Sequence, residues 1–600
     1  MILSKKTQQN IHIAHFVNGI APDSYIVKYR NIFELLEYRM HLQSDDNYIT
    51  FYPDNSAKIS LSYRDFIQKV FKTANYLKSL GIKTGDRVAT ISHNHINTVI
   101  QYYAAWALGA TVVPMNVNEE PERIKYILSS SLTKLAFIKQ EYYERFKETV
   151  QELNLEVIIH GIEINNVESG LKPLSGETGQ RPVSTNVIPL FEYEIEKLSA
   201  EFEPDESVNQ ETEALIVYTS GTTGLPKGVV LTQYNLMADA EGISKWHKIE
   251  KGTVMMCVLP IHHVNGTVVT IMTSFYAGGS MVLNQKFHTD KFFSIIADEK
   301  VNIVSVVPTL LQFLCHDYET VETGFKPVSN SETAHHRPLS TMDLNSFRHI
   351  ICGAGPLTCE LAAKFEGMFG LKIIHGYGLS ETTCYSCFIP IDMDENEHKK
   401  WLHHYGFPSI GIAIEPNEMD IQNDKGESLD ENVRGEIVIR GHNVMKYYDE
   451  NSEANDKTFE FGWFRSGDEG FYINDILGRR NYFVTGRLKE LIIRGGVNIA
   501  PLEIDEVIMG IPEVNAGIAV GFDNDWYGEE VGALIQLKEG IQETDEIKNL
   551  IMKNCREKLP AYKTPKIIIF TDTIPVTSTG KYQRNKVKHL FEEFKTIQFK

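Results

Sequence analysis

What is scarce in this chain narrows the field first. No apolar run in its 600 residues approaches the roughly 18 that a membrane-crossing helix needs, so no integral membrane segment is expected. Cysteine is sparse: 7 residues, an odd count in a long chain, do not make a disulfide framework and fit reduced thiols. Positive charge is short as well, with 59 Lys and Arg against 79 Asp and Glu. The resulting net charge of −20 argues against nucleic acid or an anionic membrane as the main partner, because both are polyanions. The opening residues lack the charged, apolar and small-residue order of a signal peptide, and Ile597-Gln598-Phe599-Lys600 is not a peroxisomal address; both predict a cytoplasmic protein. A polyanionic small molecule would have to be met by a few locally focused cations.

What is present is ordinary globular material, 42% hydrophobic, 23% charged and 10% aromatic, in a length that calls for two or more domains. Ser62 to Leu77 places Tyr63, Phe66, Ile67, Val70, Ala74 and Leu77 on one helical face, with Ser62 and Asp65 spaced as a capping box. Asp86 to Ile91 reads as a strand, His95 to Leu108 as a helix, and Thr111 to Val113 as a strand ending at Pro114. That βαβ unit implies parallel sheet. The alternation returns through Thr253–Leu259, Thr267–Tyr276, Ser280–Leu283, Asp290–Glu299 and Ile303–Val307. Between Gly406 and Val484 the texture changes to short β-prone pieces, a small antiparallel or barrel-like subdomain, and from Glu490 a last compact unit of mixed strands and helices follows. Two polar, aperiodic stretches, Lys172 to Thr185 and Lys326 to Thr341, resemble each other and read as surface insertions spanning about 165–185 and 320–343.

The stretch that carries most chemical meaning is Tyr218 to Gly228, YTSGTTGLPKG. It follows an apolar β-prone run and is mostly Ser, Thr and Gly, so a strand opens into a hydroxyl-rich loop suited to phosphate. Thr219, Ser220, Gly221, Thr222, Thr223 and Gly224 offer backbone N–H and hydroxyl donors, and Lys227 a positive charge. The spacing is not that of a Walker loop, which disfavours a P-loop NTPase. Cys384 and Cys387 form a CxxC with no second pair, which fits two packed thiols better than zinc.

The whole string, with its Pro-Lys-Gly ending, resembles the nucleotide-binding loop of the adenylate-forming superfamily of acyl-CoA synthetases, peptide-synthetase adenylation domains and luciferases. Further motifs of that family follow in order. They are Gly353-Ala354-Gly355-Pro356-Leu357, Gly376-Tyr377-Gly378-Leu379-Ser380-Glu381-Thr382-Thr383, and Gly462-Trp463-Phe464-Arg465-Ser466-Gly467-Asp468. Gly486-Arg487-Leu488-Lys489-Glu490, the Gly495-Gly496 pair and Thr579-Gly580-Lys581 complete the series. The resemblance implies an α/β fold: a large N-terminal domain (1–487) of two α/β subdomains plus a small β-barrel (406–485), a hinge at 488–490, and a smaller mobile α+β domain (491–600). It also implies ATP, Mg2+ and coenzyme A, or a carrier protein's pantetheine, as cofactors. Gly353, Ala354, Gly355, Gly376, Tyr377, Gly378 and Ser380 would hold the adenosine, Glu381 the magnesium, Asp468 the ribose, and Arg487 the ribose or a phosphate. Lys581 would be the catalytic lysine of adenylation, Lys489 the hinge, and Gly495 and Gly496 the wall of the thiol channel. Taken alone, Lys489 and Lys581 would be solvated surface lysines.

His263 in Pro260-Ile261-His262-His263 resembles the residue beside the acyl pocket of acyl- and aryl-CoA ligases. The aspartate that grips an amino acid's ammonium is not apparent, so a non-amino carboxylic acid is expected. The implied activity is ATP-dependent formation of an acyl-adenylate, then of a thioester with coenzyme A. An acyl carrier protein as acceptor, a luciferase-like oxygenase and a non-catalytic binder remain alternatives.

Overall fold

The computed structural model describes residues 3–22, 27–161, 190–219, 226–322, 341–576 and 582–599. Most of both expected insertions lies outside these residues. Among them, no helix is long and apolar enough to cross a membrane.

The first βαβ unit forms as its pattern predicts, with informative differences. Helix Tyr63–Ser79 starts where Ser62 Oγ accepts the Asp65 N–H at 3.1 Å and donates to its carboxylate at 2.7 Å, a local stop on fraying. Helix Ile96–Leu108 is buried all round, which is why its sequence is Ala, Tyr and Trp rather than amphipathic. The strand expected to end at Pro114 runs on to Met115. Pro114 registers with Thr90 on one side, while the other neighbour is in register only at Val112, so the missing N–H interrupts no second ladder.

Two parallel-cored sheets share this N-terminal region. One has seven strands, with Arg87–Ile91 flanked by Thr111–Met115 and Leu135–Lys139, and the antiparallel pair Glu213–Thr219 and Lys227–Thr232 towards one edge. The other has nine. Within it Ile373–Tyr377, His349–Cys352, Ile303–Val306 and Val254–Cys257 lie side by side and parallel. Their carboxyl ends therefore open on one rim, where ligands of such sheets are bound.

Helix Thr267–Tyr276 of the sequence reading is instead a π-helix, Asn265–Met272, continued by α-helix Thr273–Ala277. It starts tight against the preceding turn: a β-carbon on Gly266 would stand 2.6 Å from the Pro260 carbonyl oxygen, and Thr267 Oγ1 donates to the Ile261 carbonyl. Wide turns of this kind recur at functional sites.

The 406–485 stretch carries a four-stranded antiparallel sheet in the order Asn417–Gln422, Gly435–Gly441, Phe464–Asn474, Arg480–Arg487. The last unit pairs Val514–Asn524 with Gly528–Leu537 over its full length. Arg584, the one arginine after the Lys581 motif, is buried on the Asp505 carboxylate and the Ala519 carbonyl, fastening the C-terminal segment to helix Pro501–Met509.

This unit docks on the N-terminal region through Gln312 Nε2, which donates to the Asn515 carbonyl at 3.0 Å, and Glu506 Oε1, which accepts the Cys359 N–H at 2.7 Å. Burial, with repulsion from Glu360, pushes the Glu506 carboxyl up to about 7 from 4.5, against the pull of the Cys359 N–H. Between those values the unfolded chain has released a proton that the folded chain keeps, so stability falls as pH rises through the window and is level on either side. Glu506→Gln is expected to remove that slope. Its melting temperature minus that of the wild type should grow from pH 4.5 to about 7 and then flatten, and a difference independent of pH would contradict the assignment.

Candidate active site

The hairpin of Glu213–Thr219 and Lys227–Thr232 sets Thr219 opposite Lys227, so the ends of the phosphate-loop motif are fixed by a ladder. Ser220, Gly221, Thr222, Thr223 and Gly224 lie outside the described residues. A two-residue strand, Tyr447–Tyr448, adds to the outer edge of Lys227–Thr232 and brings the Tyr448 ring to Lys227, with Nζ 4.9 Å from its centroid. The Tyr448 hydroxyl donates to Glu381 Oε1 at 2.7 Å, and the Met445 N–H donates to the Glu381 carbonyl at 2.7 Å. Burial and the neighbouring carboxylate hold the Tyr448 phenol well above its ordinary value, so it stays a donor. Lys227 is held below its ordinary value, first by burial and then by Lys489, while Glu381 opposes both. Lys489, on the exposed turn Leu488–Glu490, is thus near enough to act on Lys227.

A second group forms on the antiparallel sheet. Asp468 and Arg487 are cross-strand neighbours in register, and Arg487 Nε meets Asp468 Oδ1 at 2.8 Å. Tyr377 reaches across from the nine-stranded sheet and donates its hydroxyl to Asp468 Oδ2 at 2.5 Å. Ser466 Oγ accepts the Asp468 N–H at 3.0 Å and donates to the Ile437 carbonyl at 2.6 Å; a serine hydroxyl suffices for both. The Arg487 guanidinium is held above its ordinary value by Asp468 first, with Tyr377, Glu381 and Glu490 adding to it against burial. Arg487 therefore joins the Asp468 group to the Glu381 group in one field.

The glycines between these groups are where side chains do not fit. A β-carbon on Gly353 would stand 2.5 Å from the Tyr385 hydroxyl oxygen, on Gly376 2.3 Å from the Phe388 ring, and on Gly378 1.8 Å from the Cys384 carbonyl oxygen. Ala354 has φ +61°, a left-handed conformation uncommon for alanine and found where a turn is over-determined by its surroundings; Gly355 has only Pro308 nearby. Ser380 opens the single turn Ser380–Thr382, whose carbonyl accepts the Thr383 N–H at 3.1 Å. His263 sits on the turn after Val254–Cys257, its N–H donating to the Pro260 carbonyl at 3.2 Å and its ring 4.3 Å from that of His262. Asn94 braces this turn, accepting the Ile261 N–H at 2.9 Å and donating to the Leu259 carbonyl at 3.0 Å.

The AMP-binding enzyme family model matches residues 38–449, and that of the AMP-binding enzyme C-terminal domain matches residues 503–581. The chain belongs to the AMP-binding enzyme family. Among its relatives, the oxalate–CoA ligase of Arabidopsis thaliana is 30% identical over 542 residues, covering 90% of this chain and 95% of that one. The sulfoacetate–CoA ligase of Cupriavidus necator is 29% identical over 508 residues, 84% and 88% of the two chains. In three dimensions the chain is similar to ATP-bound MatB from Rhodopseudomonas palustris, with a TM-score of 0.77 over 94% of this chain and 99% of that one at 23% identity; the likeness is one of fold.

Within this AMP-binding fold, Thr219, Lys227 and Glu381 are brought together around Tyr448, and Tyr377, Asp468 and Arg487 on the antiparallel sheet, with Gly353, Gly376 and His263 at the ends of parallel strands of the nine-stranded sheet. The Gly495-Gly496 turn, at φ +57° and +84°, is not among them. It caps the hairpin of Ile492–Arg494 and Val497–Ile499 and is exposed, with Tyr527 of the same unit the neighbour of Gly495. Lys581 lies outside the described residues. Sequence reading missed Tyr448, because nothing in Lys446-Tyr447-Tyr448-Asp449 separates a strand of two residues from a loop. It also missed Asn265, Ser305 and Tyr385, which meet behind Gly353.

Proposed function

We propose that the chain is an AMP-forming ligase that joins a carboxylic acid to coenzyme A at the expense of ATP. The observation that carries this reading is the convergence of Lys227 and Glu381 with Asp468 and Arg487, linked through Arg487, at the carboxyl rim of the parallel strands. In an acidic protein, such a cluster of cations and hard oxygen donors suits a nucleotide. Asp468 is placed to accept the two ribose hydroxyl protons, with Tyr377 and Arg487 fixing its carboxylate. Gly355, with only Pro308 beside it, leaves room for a flat base on the Gly353–Gly355 turn, while Gly353, Gly376 and Gly378 let that rim pack closely against Tyr385, Phe388 and Cys384, and Thr219 and Lys227 flank the loop that would hold the outer phosphates.

A single carboxylate, Glu381, beside phosphate oxygens fits Mg2+, which usually keeps one or two protein carboxylates; the ion would offset charge building on the departing pyrophosphate. The acid's carboxylate oxygen attacks the α-phosphorus and pyrophosphate leaves. The thiolate of coenzyme A then attacks the acyl carbon, and AMP leaves with the oxygen that bridged. Lys581 lowers the repulsion between the two anions in the first step. Turning about 488–490, with Lys489 as pivot, would withdraw Lys581 and bring the Gly495-Gly496 turn to the site; the position of that turn away from Lys227 and Asp468 suits the first half of the cycle.

The test is pyrophosphate release with ATP, Mg2+ and coenzyme A over a panel of aliphatic, aromatic and amino carboxylic acids. At least one non-amino acid is expected to give pyrophosphate, AMP and a CoA thioester in equal amounts. Release without thioester, restored only by a pantetheinylated carrier protein, would overturn coenzyme A as the acceptor.

A further inference from the structure

The rim contains a polar group that the chemistry of ATP does not use. Asn265, at the start of the π-helix, donates from Nδ2 to the Tyr385 hydroxyl at 3.2 Å, and Ser305 Oγ donates to Asn265 Oδ1 at 2.7 Å. All three are at most 5% exposed, and they come from three separate elements: the helix after His263, the end of strand Ile303–Val306, and the stretch after Glu381. The Tyr385 hydroxyl lies directly behind the Gly353 turn, 2.5 Å from where a β-carbon of Gly353 would be. Beside them on the same turn as His263, His262 is 9% exposed, and neither ring nitrogen has a hydrogen-bond partner among the described residues. Buried polar atoms are nearly always satisfied, and an exception of this kind calls for a ligand or water.

Two more features bound what could satisfy it. The first is charge. Among the described residues, His263 acts on the His262 imidazole and burial holds it neutral; on Tyr385 the acting groups are Cys384, Cys352, Asn265 and Ser305, none a formal charge. A second carboxylate or sulfonate here would be buried without a counter-charge. The second is depth. Tyr385 packs on Phe388 with ring centroids 4.5 Å apart, Phe388 fills the face of Gly376, and Val264, Val268 and Met272 are buried in the main core. Among the described residues, side chains thus fill the space behind this group, which favours a short acid.

We infer, resting on the acid–CoA ligase reading, that the acid is short and carries an uncharged hydrogen-bonding group, a hydroxyl, oxo or amide, away from its carboxylate, received by His262 with the Asn265–Tyr385–Ser305 group. The relatives named for oxalate and sulfoacetate would then differ from this chain in the charge of that far end. His262, Asn265 and Tyr385 act as specificity-determining residues.

The experiment compares kcat/KM for acids matched in carbon number, three to six carbons long, that end in a methyl, a hydroxyl, an oxo group, an amide or a second carboxylate. It uses the wild type, His262→Phe and Tyr385→Phe, with coenzyme A and ATP saturating. A site built to hydrogen-bond its substrate rejects the analogue lacking the group, by up to about ten-thousandfold. The wild type is expected to favour the best uncharged polar acid at least about tenfold over both the methyl-ended and the dicarboxylic one. His262→Phe should cut the preference over the methyl-ended acid about tenfold or more, through the acid's kinetic constants, with the KM for ATP unchanged. Tyr385→Phe, which keeps the ring, should reduce it too. A wild type that prefers the methyl-ended or dicarboxylic acid overturns the inference and leaves the ligase reading standing, and so do folded variants that keep the wild-type preference. No pyrophosphate release with any acid overturns the ligase reading itself, and the inference falls with it. If neither variant folds, the wild-type comparison decides alone.

Discussion

Asp468→Ala is expected to lower kcat/KM for ATP by about a thousandfold, mainly through KM, and to cost stability as well. Asp468 is 3% exposed and engages Arg487 at 2.8 Å and Tyr377 at 2.5 Å. Its removal takes away the acceptor for two ribose hydroxyls, each such charge-assisted bond contributing about 1.5–3 kcal/mol. It also leaves the Arg487 guanidinium facing Tyr377 without its main counter-charge; because that side chain is 40% exposed, solvent screens the loss to about 1 kcal/mol. The two effects separate. Asp468→Asn keeps an acceptor for the Tyr377 hydroxyl and should melt closer to the wild type, yet bind ATP nearly as poorly as the alanine variant. ATP titrations at saturating acid, paired with thermal melts, check both. If Asp468→Asn keeps wild-type KM for ATP, the carboxylate does not meet the ribose.

Lys581→Ala is expected to slow acyl-adenylate formation a hundredfold or more, the usual consequence of removing one fixed donor from a transition state that gathers charge. Thioester formation from a supplied acyl-adenylate should be nearly unchanged. The split matters because a lysine that merely holds the chain folded would slow both halves. Pre-steady-state measurement of each half-reaction reads it directly, and an equal loss in both would remove Lys581 from the catalytic role.

Much of this site was legible in sequence because its residues are grouped in short stretches whose positions the fold then fixes. Gly353, Gly376 and His263 follow apolar runs that become three strands of one parallel core, and neighbouring parallel strands can only present their ends together. The Ser62 cap and the helix from His95 to Leu108 were equally local. What escaped was set by packing between distant segments. Tyr448 matters because its two-residue strand pairs with Lys227–Thr232 and carries the ring to Lys227 and the hydroxyl to Glu381, a register no periodicity encodes. Asn265, Ser305 and Tyr385 are single polar residues in apolar surroundings, indistinguishable in sequence from satisfied core. The extension through Pro114 and the π-helical start at Asn265 were misread for a similar reason: each depends on what the neighbouring backbone leaves room for.

In the proposed reaction one acid oxygen passes to the nucleotide through an acyl-adenylate. The most direct measurement follows a carboxylic acid labelled with heavy oxygen in both carboxylate positions through a complete turnover with ATP and coenzyme A. One labelled oxygen is expected in the phosphate of AMP for each thioester formed, and none in pyrophosphate. Unlabelled AMP, or label in pyrophosphate or inorganic phosphate, would contradict it.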